Sequence, residues 1–192
     1  MGEKKRKSDH FPFPDHDLAL KELSYDPCYS RIPAEDRKPI TEKAWARGEA
    51  AARETFQQFH GSYDFFAICR ESGLTLKEKN IDFVSGNQRY FSDYISGKKE
   101  VNLYLKSIAL WAEENSLDLK SAENLILSHE YYHFLEWTEL GLTSRLYQVP
   151  MIQLGKLKLG HTGIRAMSEI GAHAFARTYR DLSAAREKSK TD

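Results

Sequence analysis

Residues 129–133 read His-Glu-Tyr-Tyr-His, an H-E-x-x-H pentapeptide within a segment whose pattern is typical of a helix. Positions four apart on a helix lie about 40° apart around its axis, so His129 and His133 can present two imidazoles to one metal ion. Glu130 would lie near a water held by that metal and could act as a general base. The pattern predicts a zinc site. The alternative is two histidines that form ordinary hydrogen bonds on a partly buried helix.

A catalytic zinc usually has three protein ligands and one open position, so another part of the chain must supply a third ligand. The last predicted helix carries Glu169 and His173, four residues apart, with Gly171 and Ala172 between them. Small residues there would let this helix lie close against the helix that bears His129. Glu169 is the preferred third ligand. His173 then either forms a hydrogen bond to a metal ligand and so orients it, or replaces Glu169 at the metal.

The composition is that of one globular domain: 192 residues, 41% of them apolar. Lys+Arg and Asp+Glu balance at 28 each, which argues against direct binding of nucleic acid through bulk charge. No apolar run approaches the roughly 18 residues needed to cross a membrane. Met1–Ser8 is basic but lacks the apolar stretch of a secretory signal. Cys28 and Cys69 show no C-x-x-C spacing, so we expect free thiols and a cytoplasmic protein.

The pattern along the chain predicts one domain between two tails. We expect residues 1–20 to form a disordered basic tail, residues 21–188 to form the single domain, and residues 189–192 to fray. Residues 25–39 carry three prolines and are predicted to be an irregular arm. Residues 142–162 show no clean period and are predicted to be a loop. Either segment could cover a metal site on the H-E-x-x-H helix.

Hydrophobic periodicity predicts an α+β fold with a small antiparallel or mixed sheet of three or four strands. The predicted helices cover residues 42–59, with Thr41 as the cap, and residues 64–71, 108–115, 121–141 and 163–185. The predicted strands cover residues 74–77, 81–84, 90–95 and 101–105. The last of these strands could offer an exposed edge to which an extended substrate adds.

The order of these motifs resembles the ImmA/IrrE family of zinc metallopeptidases over roughly residues 60–180. A short helix leads into Ser72-Gly-Leu-Thr-Leu, and the small sheet ends in Val101-Asn-Leu-Tyr-Leu. Leu127-Ser-His-Glu-Tyr-Tyr-His-Phe-Leu follows, and then Glu169-Ile-Gly-Ala-His-Ala-Phe-Ala, which is similar to the family signature E-x-E-A-N-x-F-A. The chain departs from that signature at Gly171, where a second glutamate is usual, and at His173, where asparagine is usual.

The resemblance implies a zincin-like fold in which the small sheet packs against the H-E-x-x-H helix. It implies that His129, His133 and Glu169 bind Zn²⁺ and that Glu130 is the general base. If the family's ligand were the second glutamate of the signature, His173 could substitute for it.

Because the family is implicated in cleaving helix-turn-helix repressors, the resemblance also implies a protein or peptide substrate, such as a DNA-binding repressor. One alternative is a non-catalytic zinc-binding regulatory or interaction protein of the phage or mobile-element type. Another is a helical protein in which H-E-x-x-H is accidental.

Overall fold

The computed structural model describes residues 11–154 and 157–191 and confirms the predicted mixture of helices and small sheets. The helices are α1 (Ala19–Ser24), α2 (Ala34–Gln58), α3 (Phe65–Glu71), α4 (Leu105–Glu114), α5 (Leu119–Leu135) and α6 (Ala166–Thr191). The strands are β1 (Thr75–Lys79), β2 (Phe83–Ser85), β3 (Gln88–Tyr90), β4 (Ser92–Ile95), β5 (Glu100–Tyr104), β6 (Gln148–Leu154) and β7 (Leu157–Gly163). No helix in this described part of the chain has the length and apolar character needed to cross a membrane.

The main sheet has three strands in the order β1–β5–β4, and the other four strands form the hairpins β2–β3 and β6–β7. Strand β5 runs parallel to β1 and antiparallel to β4, and it is buried along its whole length. Its polar residues are covered because Glu100 pairs with Lys77 and Asn102 donates to Asp93. The prediction that this strand offers an exposed edge is therefore wrong, because β5 is the central strand and β1 and β4 are the edge strands.

Helix α5 carries the H-E-x-x-H motif through the middle of the molecule. Asp118 caps its N-terminus by accepting a hydrogen bond from the backbone N–H of Ser121. The helix continues as a π-helical turn, Glu136–Leu140, and the chain then leaves it at Gly141, where φ is +73°. The predicted helix from residue 121 to 141 is thus confirmed in outline, as an α-helix closed by a π-turn.

Helix α6 lies close to both α2 and α5 at two glycines. A Cβ at Gly48 of α2 would collide with the backbone carbonyl of Gly171 on α6, and a Cβ at Gly171 would collide with the ring of Tyr132 on α5. The prediction that small residues let α6 approach the H-E-x-x-H helix is confirmed. The start of α6 is also fixed, because the Asp26 carboxylate accepts the Ala166 N–H at 3.0 Å.

The N-terminal half of the chain departs from the prediction at α2. The helix begins at Ala34, so the second half of the predicted irregular arm is helical. Thr41 is not its cap: the Thr41 hydroxyl donates to the carbonyl of Arg37 one turn earlier. Pro39 lies on the exposed side of the second turn of the helix, and because it has no N–H it removes one backbone hydrogen bond there.

Two further boundaries differ towards the C-terminus. The predicted loop over residues 142–162 contains most of the hairpin β6–β7, whose Pro150 lies opposite His161. A two-stranded hairpin consists only of edge strands, and an edge strand tolerates proline. The last helix covers residues 166–191 instead of 163–185, so its charged end continues the helix.

The described part of the predicted disordered tail is ordered, whereas residues 1–10 lie outside the described residues. Phe11 is 5% exposed, and the Phe13 ring stacks on Trp111 with the ring centroids 5.4 Å apart. Two phenylalanines separated by Pro12 bury enough apolar surface to hold this short segment against the core. The prediction of disorder is therefore wrong for residues 11–20.

Candidate metal centre

Helices α5 and α6 bring three predicted ligands together. His129 Nε2 lies 3.2 Å from His133 Nε2 and 3.3 Å from Glu169 Oε2, and His133 Nε2 lies 3.6 Å from Glu169 Oε1. Two donors at about 2.05 Å from a tetrahedral zinc ion are about 3.3 Å apart, so these spacings suit that ion. Within the described residues, this is the group of His, Cys, Asp and Glu side chains whose donor atoms converge on one point.

A buried carboxylate fixes the orientation of the second histidine. Glu136 Oε2 lies 3.0 Å from His133 Nδ1, which places a ring hydrogen on Nδ1 and directs Nε2 towards the other donors. Glu136 Oε1 accepts the backbone N–H of Thr143 at 2.7 Å and the hydroxyl of Ser168 at 2.8 Å. Sequence reasoning missed Glu136. Its signal is local, since it lies three residues after His133 on the same face of the helix.

The site favours a positive charge at its centre. Burial alone would lower the pKa of His133, but the Glu169 carboxylate and the hydrogen bond to Glu136 raise that pKa well above its usual range. Without a metal, a proton on the imidazole can supply this charge. Nitrogen and carboxylate donors that converge around a cation are also the donor set that zinc prefers.

Glu130 lies beside these donors and is itself held by the edge strand. Its side chain is buried, and Oε1 accepts a 2.6 Å hydrogen bond from the hydroxyl of Ser92 on β4. No described residue donates to Oε2, which leaves that oxygen free to take a proton. The sequence offered no local signal for Ser92, because its position depends on the pairing of β4 with β5.

His173 lies next to the three converging side chains but is not one of them. Its ring centroid is 5.0 Å from that of His129, and the Phe13 ring lies 5.4 Å from both histidine rings. Burial, together with His129, lowers the pKa of His173 to about 3, so the ring is neutral. The Nδ1 atoms of His129 and His173 are buried and have no hydrogen-bond partner among the described residues. The geometry supports Glu169 as the third ligand and places His173 against His129.

The three donors open into a cleft of about 870 Å³. Its walls come from α1 and the segment after it, from β3 and β4, from α5 with the π-turn, and from the start of α6. Residues 25–27 of the predicted arm line one wall, and Leu142 and Ser144 line another. Both segments that could cover the candidate metal site therefore border the cleft. Glu169 is accessible from the cleft, since 47% of its side-chain surface is exposed.

In comparisons with known proteins, no family model, no curated protein and no solved structure matches the chain. The resemblance to the ImmA/IrrE family therefore stays a prediction.

Proposed function

We propose that the chain is a zinc-dependent metallopeptidase in which His129, His133 and Glu169 hold Zn²⁺. The observation that carries this proposal is the spacing of the three donor atoms, together with a carboxylate beside them in an open cleft. A bound zinc ion would supply a Lewis acid that polarises the substrate carbonyl and lowers the pKa of water at the site towards about 7.

Glu130 is the proposed general base. Its contact with Ser92 fixes one carboxylate oxygen and leaves Oε2 available. Glu130 would take a proton from the attacking water at Oε2 and pass it to the amine of the leaving product. Because Glu130 is not one of the converging donors, its replacement by glutamine should leave the zinc site intact.

Strand β4 is the proposed platform for an extended peptide. The N–H of Tyr104 bonds to the carbonyl of Phe91, so these residues form a hydrogen-bonded pair of the antiparallel ladder. Such pairs alternate, and the backbone groups of Ser92 and Tyr94 therefore point away from β5 towards the free edge. Both residues line the cleft. An extended substrate would pair with this edge beside the metal donors.

The same features support a zincin-like fold, since the small sheet lies beside the H-E-x-x-H helix with its edge strand along the cleft. From the family resemblance, we propose that the substrate is a helix-turn-helix repressor. A non-catalytic zinc-binding regulator is the competing proposal, and the experiment below separates the two.

The test combines metal analysis with proteolysis. Purified protein should contain one zinc ion per chain, and it should cleave unfolded casein or a member of a helix-turn-helix repressor panel. Glu130→Gln should retain the zinc, and its cleavage rate should be at least about a thousandfold lower than that of the wild-type protein. A chain without stoichiometric zinc would end the metalloprotein proposal. Zinc without any Glu130-dependent cleavage would favour the regulator.

The ligand assignment has its own test in Glu169→Ala and His173→Ala. We expect the larger loss of zinc affinity for Glu169→Ala, because Glu169 oxygens lie 3.3 and 3.6 Å from the histidine nitrogens. Competition with a fluorescent zinc chelator measures both affinities. The opposite ranking would make His173 the ligand.

A further inference from the structure

One carboxylate that is not part of the candidate metal centre lines the same cleft. Glu22 of α1 is partly buried and lines the same cavity as His129, His133 and Glu169. Burial raises the pKa of Glu22, the nearby Glu169 raises it further, and His129 lowers it in part. Glu22 is not among the converging donors, so it stands apart from the metal ligands.

Glu22 differs from the other five carboxylates of the cleft in its lack of a partner. Glu169 lies against the two histidines. Asp26 accepts hydrogen bonds from the N–H groups of Cys28 and Ala166, and Asp93 accepts them from Asn102 and Tyr104. Glu130 is bonded to Ser92, and Glu136 is bonded to His133, Thr143 and Ser168. In the part of the chain that the structure describes, Glu22 has no side-chain hydrogen bond or ion pair. Among the described residues that line the cleft, the basic side chain is that of Arg165, and it forms no ion pair with Glu22.

A half-buried carboxylate next to a second one is unfavourable unless a cation lies nearby. A zinc ion at the three donors would balance the negative charge of Glu169 and part of that of Glu130. It would leave Glu22 unpaired. A positively charged group of a molecule that enters the cleft would supply the cation that Glu22 lacks. In an extended peptide on β4, the group of this kind is an ammonium or guanidinium close to the scissile bond.

We propose that Glu22 is a specificity-determining residue that pairs with a positively charged group of the peptide substrate next to the bond that is cleaved. This inference rests on the proposed function and names its substrate class. Two sources share the required chemistry: the side chain of lysine or arginine, and a free α-amino group. Blocking the amino terminus of the peptide distinguishes them.

The experiment compares wild-type protein with Glu22→Gln, Glu22→Lys and the control Glu54→Gln. Glu54 is an exposed residue of α2 that does not line the cleft. Zinc-loaded proteins are given randomised decapeptides with acetylated or free amino termini, and mass spectrometry identifies the cleaved bonds. We expect wild-type protein and Glu54→Gln to prefer a cationic group beside the bond by about tenfold. Glu22→Gln should lose this preference at unchanged zinc content, and Glu22→Lys should reverse it towards acidic residues.

Binding supplies a readout that does not depend on cleavage. Fluorescence anisotropy with zinc-loaded Glu130→Gln measures the affinity for a labelled lysine-containing decapeptide and its norleucine counterpart. Cleavage without a cation preference, or with a preference that survives in Glu22→Gln, would overturn the inference and leave the peptidase standing. If no peptide is cleaved, the peptidase proposal fails. Binding that favours lysine and depends on Glu22 would then still support the cation site, and equal binding of the two peptides would overturn it.

Discussion

Gly171→Ala should push α6 away from α5 and so disturb the proposed metal centre. A Cβ at this position would lie 2.5 Å from Tyr132 Oη and 2.7 Å from Cζ, whereas ordinary van der Waals contact begins at 3.4 Å. Tyr132 is fully buried, and its hydroxyl is 2.7 Å from the hydroxyl of Thr143, so the ring has no free space to enter. The backbone of α6 must therefore move.

The expected size of the effect follows from opposing contributions. Alanine in a helix gains about 1 kcal/mol over glycine, while overpacking costs about 1–3 kcal/mol and loss of the Tyr132 hydrogen bond costs about 1 kcal/mol. The free energy of unfolding should fall by about 1–3 kcal/mol. Relief of the clash needs a shift of up to 0.9 Å, the difference between 2.5 and 3.4 Å. Zinc sites tolerate about 0.2 Å in their ligand distances, so zinc affinity should fall by about 10–100-fold.

Urea denaturation of the apoprotein and chelator competition of the zinc-loaded protein measure the two effects separately. Gly97→Ala is the matched control, because a Cβ there has nothing within 4 Å. It should change neither quantity appreciably. A Gly171→Ala protein as stable as the wild type, with unchanged zinc affinity, would refute the idea that the spacing of α5 and α6 sets the spacing of the donors.

Three further predictions concern the surroundings of the metal centre. Glu136→Ala should lower zinc affinity by about 10–100-fold, because His133 loses the partner that orients it; chelator competition measures this, and an unchanged affinity would contradict it. Iodoacetamide at pH 8 should label Cys28 in the native protein and spare Cys69, since Cys69 is buried and burial raises its pKa to about 12. Peptide mapping after labelling shows which thiol reacted, and rapid labelling of Cys69 would count against a closed core. Phe13→Ala should lower the free energy of unfolding by about 2–3 kcal/mol in urea denaturation, whereas a freely moving segment would give no change.

The three donor residues were predictable because each helix that carries them can be recognised from neighbouring residues in the sequence. His129 and His133 share a helical face through their spacing, and Glu169 lies on a helix whose small residue, Gly171, signals a close neighbour. Glu136 was equally accessible to this reasoning, since it stands three residues after His133. Helical periodicity links residue type to position without any knowledge of the rest of the fold.

The features that the sequence did not reveal depend on distant contacts. Ser92 reaches Glu130 only through the pairing of β4 with β5, and Glu22 reaches the cleft only after α1 has docked. Strand β5 alternates like a strand with one exposed face, yet both faces are covered because Asn102 and its neighbours are paired. Phe13 lies in a proline-containing segment that suggests disorder, and its place against Trp111 follows from tertiary packing.

The hydrogen bond between Asp26 and Ala166 joins positions 140 residues apart, and it fixes the start of the helix that carries Glu169. Contacts of such long sequence separation form late, because the entropy of closing a long loop must first be overcome. During synthesis, the two histidines of α5 would leave the ribosome well before the helix that completes the donor set. If the proposed zinc site is correct, the nascent chain would pass through a stage with two of the three ligands, and full metal affinity would arise only when the final helix docks. Metal uptake during refolding would then report the last step of folding rather than the first.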